Sequence, residues 1–211
     1  MTYVATDIVQ SEDEIRTVLP GERAHQQAKI IDHIDDLCRL WIERSPYLVM
    51  STVNASGQID TSPKGDPPGF VKVLDPHTLA IPDRPGNHRF DSFRNILETG
   101  RIGLMFLVPN RTELIRVSGS AQVVRDQALR AQMAIKGRVP DFAILVRVEE
   151  AFYNCGKAAI RSKLWHPEQS ADTQGLPSYG EALLAHSKVD MTLEAIEERL
   201  LHNDQNRLYD E

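Results

Sequence analysis

Between Tyr47 and Phe152 the chain is cut into short apolar runs closed by turn clusters, and a single strong helical stripe interrupts them. The runs are Tyr47–Val53, Gln58–Ser62, Phe70–Leu74, Thr78–Ile81, Ile102–Val108, Glu113–Val124 and Phe142–Phe152. Alternating or β-branched runs of this length read as strands, and Asn54-Ala55-Ser56-Gly57 between the first two reads as a hairpin turn. Most of the connections are too short for the helical crossovers that parallel strands need. The pattern predicts an α+β, mainly β chain: a six- to seven-stranded antiparallel closed or split β-barrel with flanking helices, not a βαβ sheet. Pro63-Lys64-Gly65-Asp66-Pro67-Pro68-Gly69 is too rich in proline and glycine for regular structure and is expected to be a loop.

The interrupting helix is expected over residues 87–98, since Phe90, Phe93 and Ile96/Leu97 recur at helical spacing. Asn87 or Asp91 would cap its start, and Gly100 follows its end. The strand before it runs into Pro82-Asp83-Arg84-Pro85-Gly86. A strand-to-helix corner of this kind turns backbone N–H groups and the positive end of the helix dipole outward, which suits an anion such as a phosphate. Arg84, His88, Arg89 and Arg94 lie around the corner. Spacing alone equally allows a capped surface helix with solvated arginines.

Two further helical regions flank the barrel. Residues 22–44 put Ala24, Ala28, Ile31, Ile34, Cys38 and Trp41 on one stripe that ends at Ser45-Pro46, because the residue before proline avoids the α region. His25 and His33 lie on this stretch without further ligands at metal-binding spacing, so they read as solvated or capping. Asp126 is a candidate cap for a short surface helix to Ile135. After the last strand, NCGKAAIRSKLWH (154–166) carries Lys157, Arg161 and Lys163 with no acidic residue. Lys157 and Arg161 would share a helix face and either grip one anion or face an acidic neighbour such as the 191–204 stretch. The tail to residue 211 continues as a helical extension, with the whole of 1–211 read as one domain whose barrel spans 46–153.

At 211 residues the chain can bury a sizeable core, and its net charge of −6 argues against a nucleic-acid partner, which requires a basic stripe. No run approaches the length of a membrane span, and the first residues lack a signal-like basic and apolar pair of segments. Two cysteines, Cys38 and Cys155, imply no disulfide framework, and Cys155 reads as a small packed residue more readily than as a reactive thiol. A cytoplasmic protein is expected.

The run SPKGDPPGFVKVLD (62–75), then IPDRPGNHRFDSFRNIL (81–97), GLMFLVP, LIRVSGSA and the late 154–166 segment resemble the pyridoxamine 5'-phosphate oxidase-related family of FMN-binding split β-barrels. The likeness is to the subgroup that carries PRGDxPGFV, IPDRPGNxRxDSxxNIL and HCxKAxxRSxLW, and it covers roughly residues 25–168. The resemblance implies an FMN-binding homodimer with the cofactor at the subunit interface. It places Arg84, Asn87, Arg89 and Ser92 around the FMN phosphate and Ser62 and Lys64 near the N1/O2 edge of the ring. Lys157, Arg161, Ser162 and Trp165 would be contributed by the second subunit, although a Trp at a helix end is as often core as cofactor shelf.

Two positions depart from the subgroup pattern. Asn154 stands where His is usual and Lys64 where Arg is, which keeps the charge but loses the bidentate fork. The C-terminal arginine- and histidine-containing signature of true pyridoxamine 5'-phosphate oxidases is not recognisable after residue 165. The expected function is therefore an FMN-dependent oxidoreductase that passes hydride between a small-molecule substrate or reduced nicotinamide and an acceptor, with pyridoxamine 5'-phosphate not the expected substrate. The alternatives are a flavin carrier or sensor without turnover, and a split barrel that holds haem.

Overall fold

The structure, a computed structural model, describes residues 2–19, 21, 23–169 and 172–210. Seven strands form one antiparallel sheet: β1 (Tyr47–Val53), β2 (Ile59–Gly65), β3 (Lys72–Asp75), β4 (Thr78–Pro82), β5 (Arg101–Leu107), β6 (Leu114–Val124) and β7 (Ala143–Asn154). Their order across the sheet is β2-β1-β5-β6-β7-β4-β3. The helices are α1 (Glu12–Arg16), α2 (Ala24–Ala28), α3 (Asp36–Arg44), α4 (Asp91–Thr99), α5 (Gln127–Ala131), α6 (Lys157–Ser162), α7 (Tyr179–His186) and α8 (Leu193–Asn206). This is the α+β, mainly β split-barrel arrangement that the strand pattern predicts.

The split follows from the length of the β6–β7 ribbon. β5 pairs with residues 115–120 of β6, whereas β4 pairs with residues 143–147 of β7, which lie opposite 120–124 of β6. The two wings of the sheet, β2-β1-β5 and β4-β3, thus leave from opposite halves of one hairpin. A bulge at Ser118/Gly119 bends the ribbon where the wings part. Gly119 is required there, since a Cβ would lie 1.9 Å from the Arg147 carbonyl oxygen.

Alternation directs the core. On β1, Leu48, Met50 and Thr52 are buried while the residues between them are more open. Leu48 and Met50 join Phe106, Ile115, Val117, Ile144 and Val146 in one core cluster, together with Cys38 and Ile42 from α3 and Ile96 from α4. At roughly 1.5–3 kcal/mol for each fully buried apolar side chain, this cluster is the principal stabilising term. α3 is capped by Asp35, which accepts from the Cys38 N–H at 2.8 Å, and it stops at Ser45, whose hydroxyl is bonded to the Tyr47 and Leu107 carbonyls.

Three expectations are corrected. The single helix over 22–44 is broken, and its first residue, Glu22, lies outside the described residues. Between α2 and α3 the backbone of Ile31 exchanges two bonds with Ala151 of β7, and Ile34 N–H donates to the Pro76 carbonyl. Pairing along an open stretch of β7 has displaced helical bonding there. The Pro63–Gly69 loop begins later than expected, because β2 runs through Pro63 and Lys64 to Gly65 in register with β1. A proline is tolerated there because β2 is an edge strand. The inserted helix begins at Asp91, not Asn87, since His88 and Phe90 adopt left-handed backbone angles (φ 56° and 57°) that helical continuation forbids. Among the described residues no helix is long and apolar enough to cross a membrane.

Candidate functional site

A cleft of about 300 Å³ opens between β2, the strip that follows β4, and the start of α4. β2 supplies one wall by alternation: Asp60, Ser62 and Lys64 are half-buried on one face, and Ile59, Thr61, Pro63 and Gly65 are exposed on the other. The opposite wall is Asp83, Arg84 and Gly86–Phe93. The floor is fixed by α4, which inserts polar side chains into the barrel mouth. Asn95 donates to the Thr52 hydroxyl at 3.0 Å with both residues buried, and the Thr99 hydroxyl donates to the Val53 carbonyl at 2.7 Å. Ile96 packs into the core beside them.

The helix start is open. Its N-cap position is Phe90, which has no capping side chain, so the N–H groups of the first turn are left for an external acceptor. Asn87 turns inward on its own loop, its Oδ1 accepting from the Arg89 N–H at 3.1 Å. Ser92 is 7% exposed and donates to Asp60 Oδ2 at 2.6 Å, which ties the first turn of α4 to β2.

The charges divide into engaged and open groups. Arg84 Nε donates to Asp66 Oδ2 at 2.6 Å and Nη2 donates to the Met133 carbonyl at 2.9 Å. Asp66 is 1% exposed at its side chain, so this is a buried pair, and the Arg84 guanidinium serves the wall of the cleft. Arg89 is 73% exposed at its side chain and pairs with Asp91 at 2.7 Å. Among the described residues of the cleft, Lys64 is the cation that no ion pair engages. The lining carries Asp60, Asp83 and Asp91 against Lys64, Arg84 and Arg89, three of each sign. Positive potential is therefore local, confined to Lys64, the α4 N-terminus and the solvent side of Arg89.

This arrangement fits FMN at both ends. A phosphate dianion would find first-turn N–H groups and an adjustable guanidinium at α4, and the polar edge of a flavin ring would find Ser62 and Lys64 along β2. Phe90 and Phe93 supply apolar lining. Ser62, Lys64, Arg84, Asn87, Arg89 and Ser92 thus share one cleft, but the side chains of Arg84 and Ser92 are committed to Asp66 and Asp60.

The second expected group lies elsewhere. Asn154, just before α6, pairs with Leu114 of β6. Since Phe106 pairs with Ile115, Tyr47 with Leu107 and Tyr47 with Gly65, four strand spacings of roughly 4.8 Å separate this corner from the end of β2. None of Lys157, Arg161, Ser162 or Trp165 lines the cleft of its own chain. Trp165 Nε1 donates to the Arg111 carbonyl at 2.7 Å, and Arg111 stacks over Trp41 at 5.5 Å. No ion pair joins Lys157, Arg161 or Lys163 to the acidic residues of α8 among the described residues, so the acidic-neighbour alternative finds no contact.

Sequence reasoning missed Asp60, Asp66 and Tyr209. Asp60 lies within the expected strand Gln58–Ser62, but nothing in the sequence shows that it meets Ser92 of α4. Asp66 sits inside a quoted motif but gives no sign of burial, and Tyr209 carries no local signal at all.

The family description "Pyridoxamine 5'-phosphate oxidase" matches residues 34–155 of the chain. No curated protein matches it. Among solved structures, the chain is similar to HupZ of Group A Streptococcus (22% identity, 57% of this chain and 93% of that one, TM-score 0.46). It is also similar to an FMN-binding protein from Syntrophomonas wolfei (13%, 55% and 82%, TM-score 0.43) and to General Stress Protein 26 of Bacillus anthracis (13%, 54% and 88%, TM-score 0.42).

Proposed function

The chain belongs to the pyridoxamine 5'-phosphate oxidase family, and from that premise we propose that its cleft holds FMN and that the protein is a cytoplasmic, homodimeric FMN-dependent oxidoreductase. The observation that carries the reading is the uncapped start of α4 facing the unpaired Lys64 across one cleft. When bound, FMN supplies hydride acceptance and donation. The chain's own residues bind and orient: Arg89 and the first-turn N–H groups take the phosphate, Asn87 shapes the loop that presents them, and Ser92 and Arg84 hold the walls. Ser62 and Lys64 face the ring edge, where the Lys64 ammonium stabilises negative charge on a reduced ring. The substrate is a small molecule or a reduced nicotinamide, and pyridoxamine 5'-phosphate is not proposed.

The homodimer is part of the same proposal. The outer face of β1, β5, β6 and β7 carries a groove of about 270 Å³ lined by Val49, Met105 and Phe152, with Arg116 and Glu150 in the lining. A two-fold axis through such a face lets each arginine meet the other copy's glutamate. Lys157, Arg161, Ser162 and Trp165, which lie away from their own cleft, would then reach the partner's.

The test is the visible absorption spectrum of the purified protein, before and after added FMN, with mass spectrometry of the released cofactor. A flavin spectrum with FMN released supports the reading. A Soret band, or a chain that remains colourless after FMN addition, overturns it. Reduction of the bound flavin by NADH or NADPH at a useful rate then separates an oxidoreductase from a carrier.

A further inference from the structure

The wall that carries Arg84 adjoins two cavities. Residues of the strip from Asp83 to His88 line the cleft of about 300 Å³, and Asp83, Arg84 and Pro85 also line a second cavity of about 330 Å³. Its beginning is pinned by the Asp83 N–H on the Phe142 carbonyl at 3.0 Å. Its end holds two non-glycine residues, His88 and Phe90, in left-handed conformations that persist only where surroundings over-determine them.

The middle is held through Arg84, which donates to the Met133 carbonyl and to Asp66, and Asp66 is held in turn from the tail. The Tyr209 hydroxyl donates to Asp66 Oδ1 at 2.7 Å, while Asp66 Oδ2 takes the Arg84 bond. One buried carboxylate thus joins two donors, one in the cleft wall and one in the C-terminal tail. Asp210 pairs with Arg138 Nε at 2.5 Å, and Lys136 Nζ lies 5.1 Å over the Tyr209 ring. Two successive tail residues are therefore fixed at three points, which is unlike a fraying terminus. Tyr209 also lines the second cavity, together with Asp83, Arg84 and Pro85 of the strip.

We propose that Tyr209 is a positioning residue for the site: its hydroxyl completes the bonding of Asp66, holds Arg84 in place, and so keeps the 83–90 wall in the shape that receives the cofactor. The cofactor half of this inference rests on the FMN reading. The wall half does not.

The experiment uses the full chain and Tyr209→Phe, which keeps the ring under Lys136 and removes only the hydroxyl. Hydrogen–deuterium exchange is followed first without cofactor. Amides of 83–91 are expected to exchange about fivefold faster in the variant, the factor that one lost hydrogen bond gives, with those of β5 unchanged. Equal exchange at 83–91 in the two proteins overturns the proposal, and so does faster exchange throughout. The second readout is FMN release, expected to be about fivefold faster in Tyr209→Phe, with no further acceleration when Tyr209→Phe is added to Arg84→Gln. Additive effects of the two substitutions overturn the relay through Asp66. A wild-type chain that takes up no FMN sinks the cofactor reading and leaves the exchange result to decide the role of Tyr209.

Discussion

Lys64 and Arg89 are both cations of one cleft, yet their surroundings give them different weight. Lys64 is half-buried and unpaired, whereas Arg89 is mostly exposed and already faces Asp91. Lys64→Gln is expected to raise the FMN dissociation constant about tenfold, since a charge-assisted contact in a partly desolvated site is worth ~1.5–3 kcal/mol. Arg89→Ala is expected to change it about threefold, because a solvated guanidinium shared with a carboxylate gains little from a new anion. Fluorescence titration of the flavin measures both, and equal effects would show that Arg89 leaves Asp91 to bind the phosphate in full.

Cys38 carries a second residue-scale consequence. It is 2% exposed, and burial, reinforced by the hydrogen bond and charge of Asp35, pushes its thiol from 9.0 up to about 12. In the unfolded chain the thiol ionises above about pH 9, while the folded chain keeps its proton. The unfolded state then binds fewer protons, so stability falls as pH rises from about 9 toward 12. Chemical denaturation across that range should show a steeper loss for the wild type than for Cys38→Ala. Parallel curves would mean that the thiol is not sealed in the native state.

At the scale of elements, α4 organises the site. It couples the core through Ile96, the barrel mouth through Asn95 and Thr99, and β2 through Ser92. Its existence was legible because Phe93 and Ile96 recur with helical period. Its start was not: left-handed backbone at Phe90 depends on tertiary packing and has no sequence signature, and at His88 the residue type raises its frequency without specifying it. The same division explains the charges. The identity and spacing of Arg84, Arg89 and Ser92 marked the corner, but the partners that commit Arg84 lie 18 residues before it at Asp66 and 49 after it at Met133, and Tyr209, which holds Asp66, lies farther still. The α2–α3 break was equally hidden, since it is produced by bonds to Ala151 across the fold.

The bulge on the β6–β7 ribbon is the element whose failure would separate the two wings. Gly119→Ala would drive a methyl group into backbone atoms of Arg147 and Glu149 that belong to the paired strand. A loss of about 3 kcal/mol or more is expected, read as a fall in the denaturation midpoint. A variant of unchanged stability would show that the register there can slide.

Across the whole molecule the unresolved economy is one of faces. The barrel buries one side of each strand, while the outer side of β1, β5, β6 and β7 leaves Val49, Met105 and Phe152 around an open groove. The basic 154–166 segment stands at the opposite corner from its own cleft. Both observations are what the proposed second copy would account for. Met105→Glu would set two carboxylates against each other near a two-fold axis and is expected to give a monomer in sedimentation, with weaker FMN retention because Lys157 and Arg161 are withdrawn. A dimer that survives this change places the axis elsewhere.

Pro63 gives β2 a property that reaches beyond cofactor binding. The bonds from Asn54 to Gln58 and from Asp66 to Pro46 bracket the β1–β2 ladder and place its bonded pairs at even positions, 48/64, 50/62 and 52/60. Pro63 is an odd position, so its nitrogen, which has no proton to give, points outward along the unpaired margin of the sheet. An approaching strand would find a missing rung halfway along that margin, and templated growth into fibrils stops there. The residue that made this stretch look like a loop is thus the one that lets a strand stand at an open border without offering a full ladder to another chain.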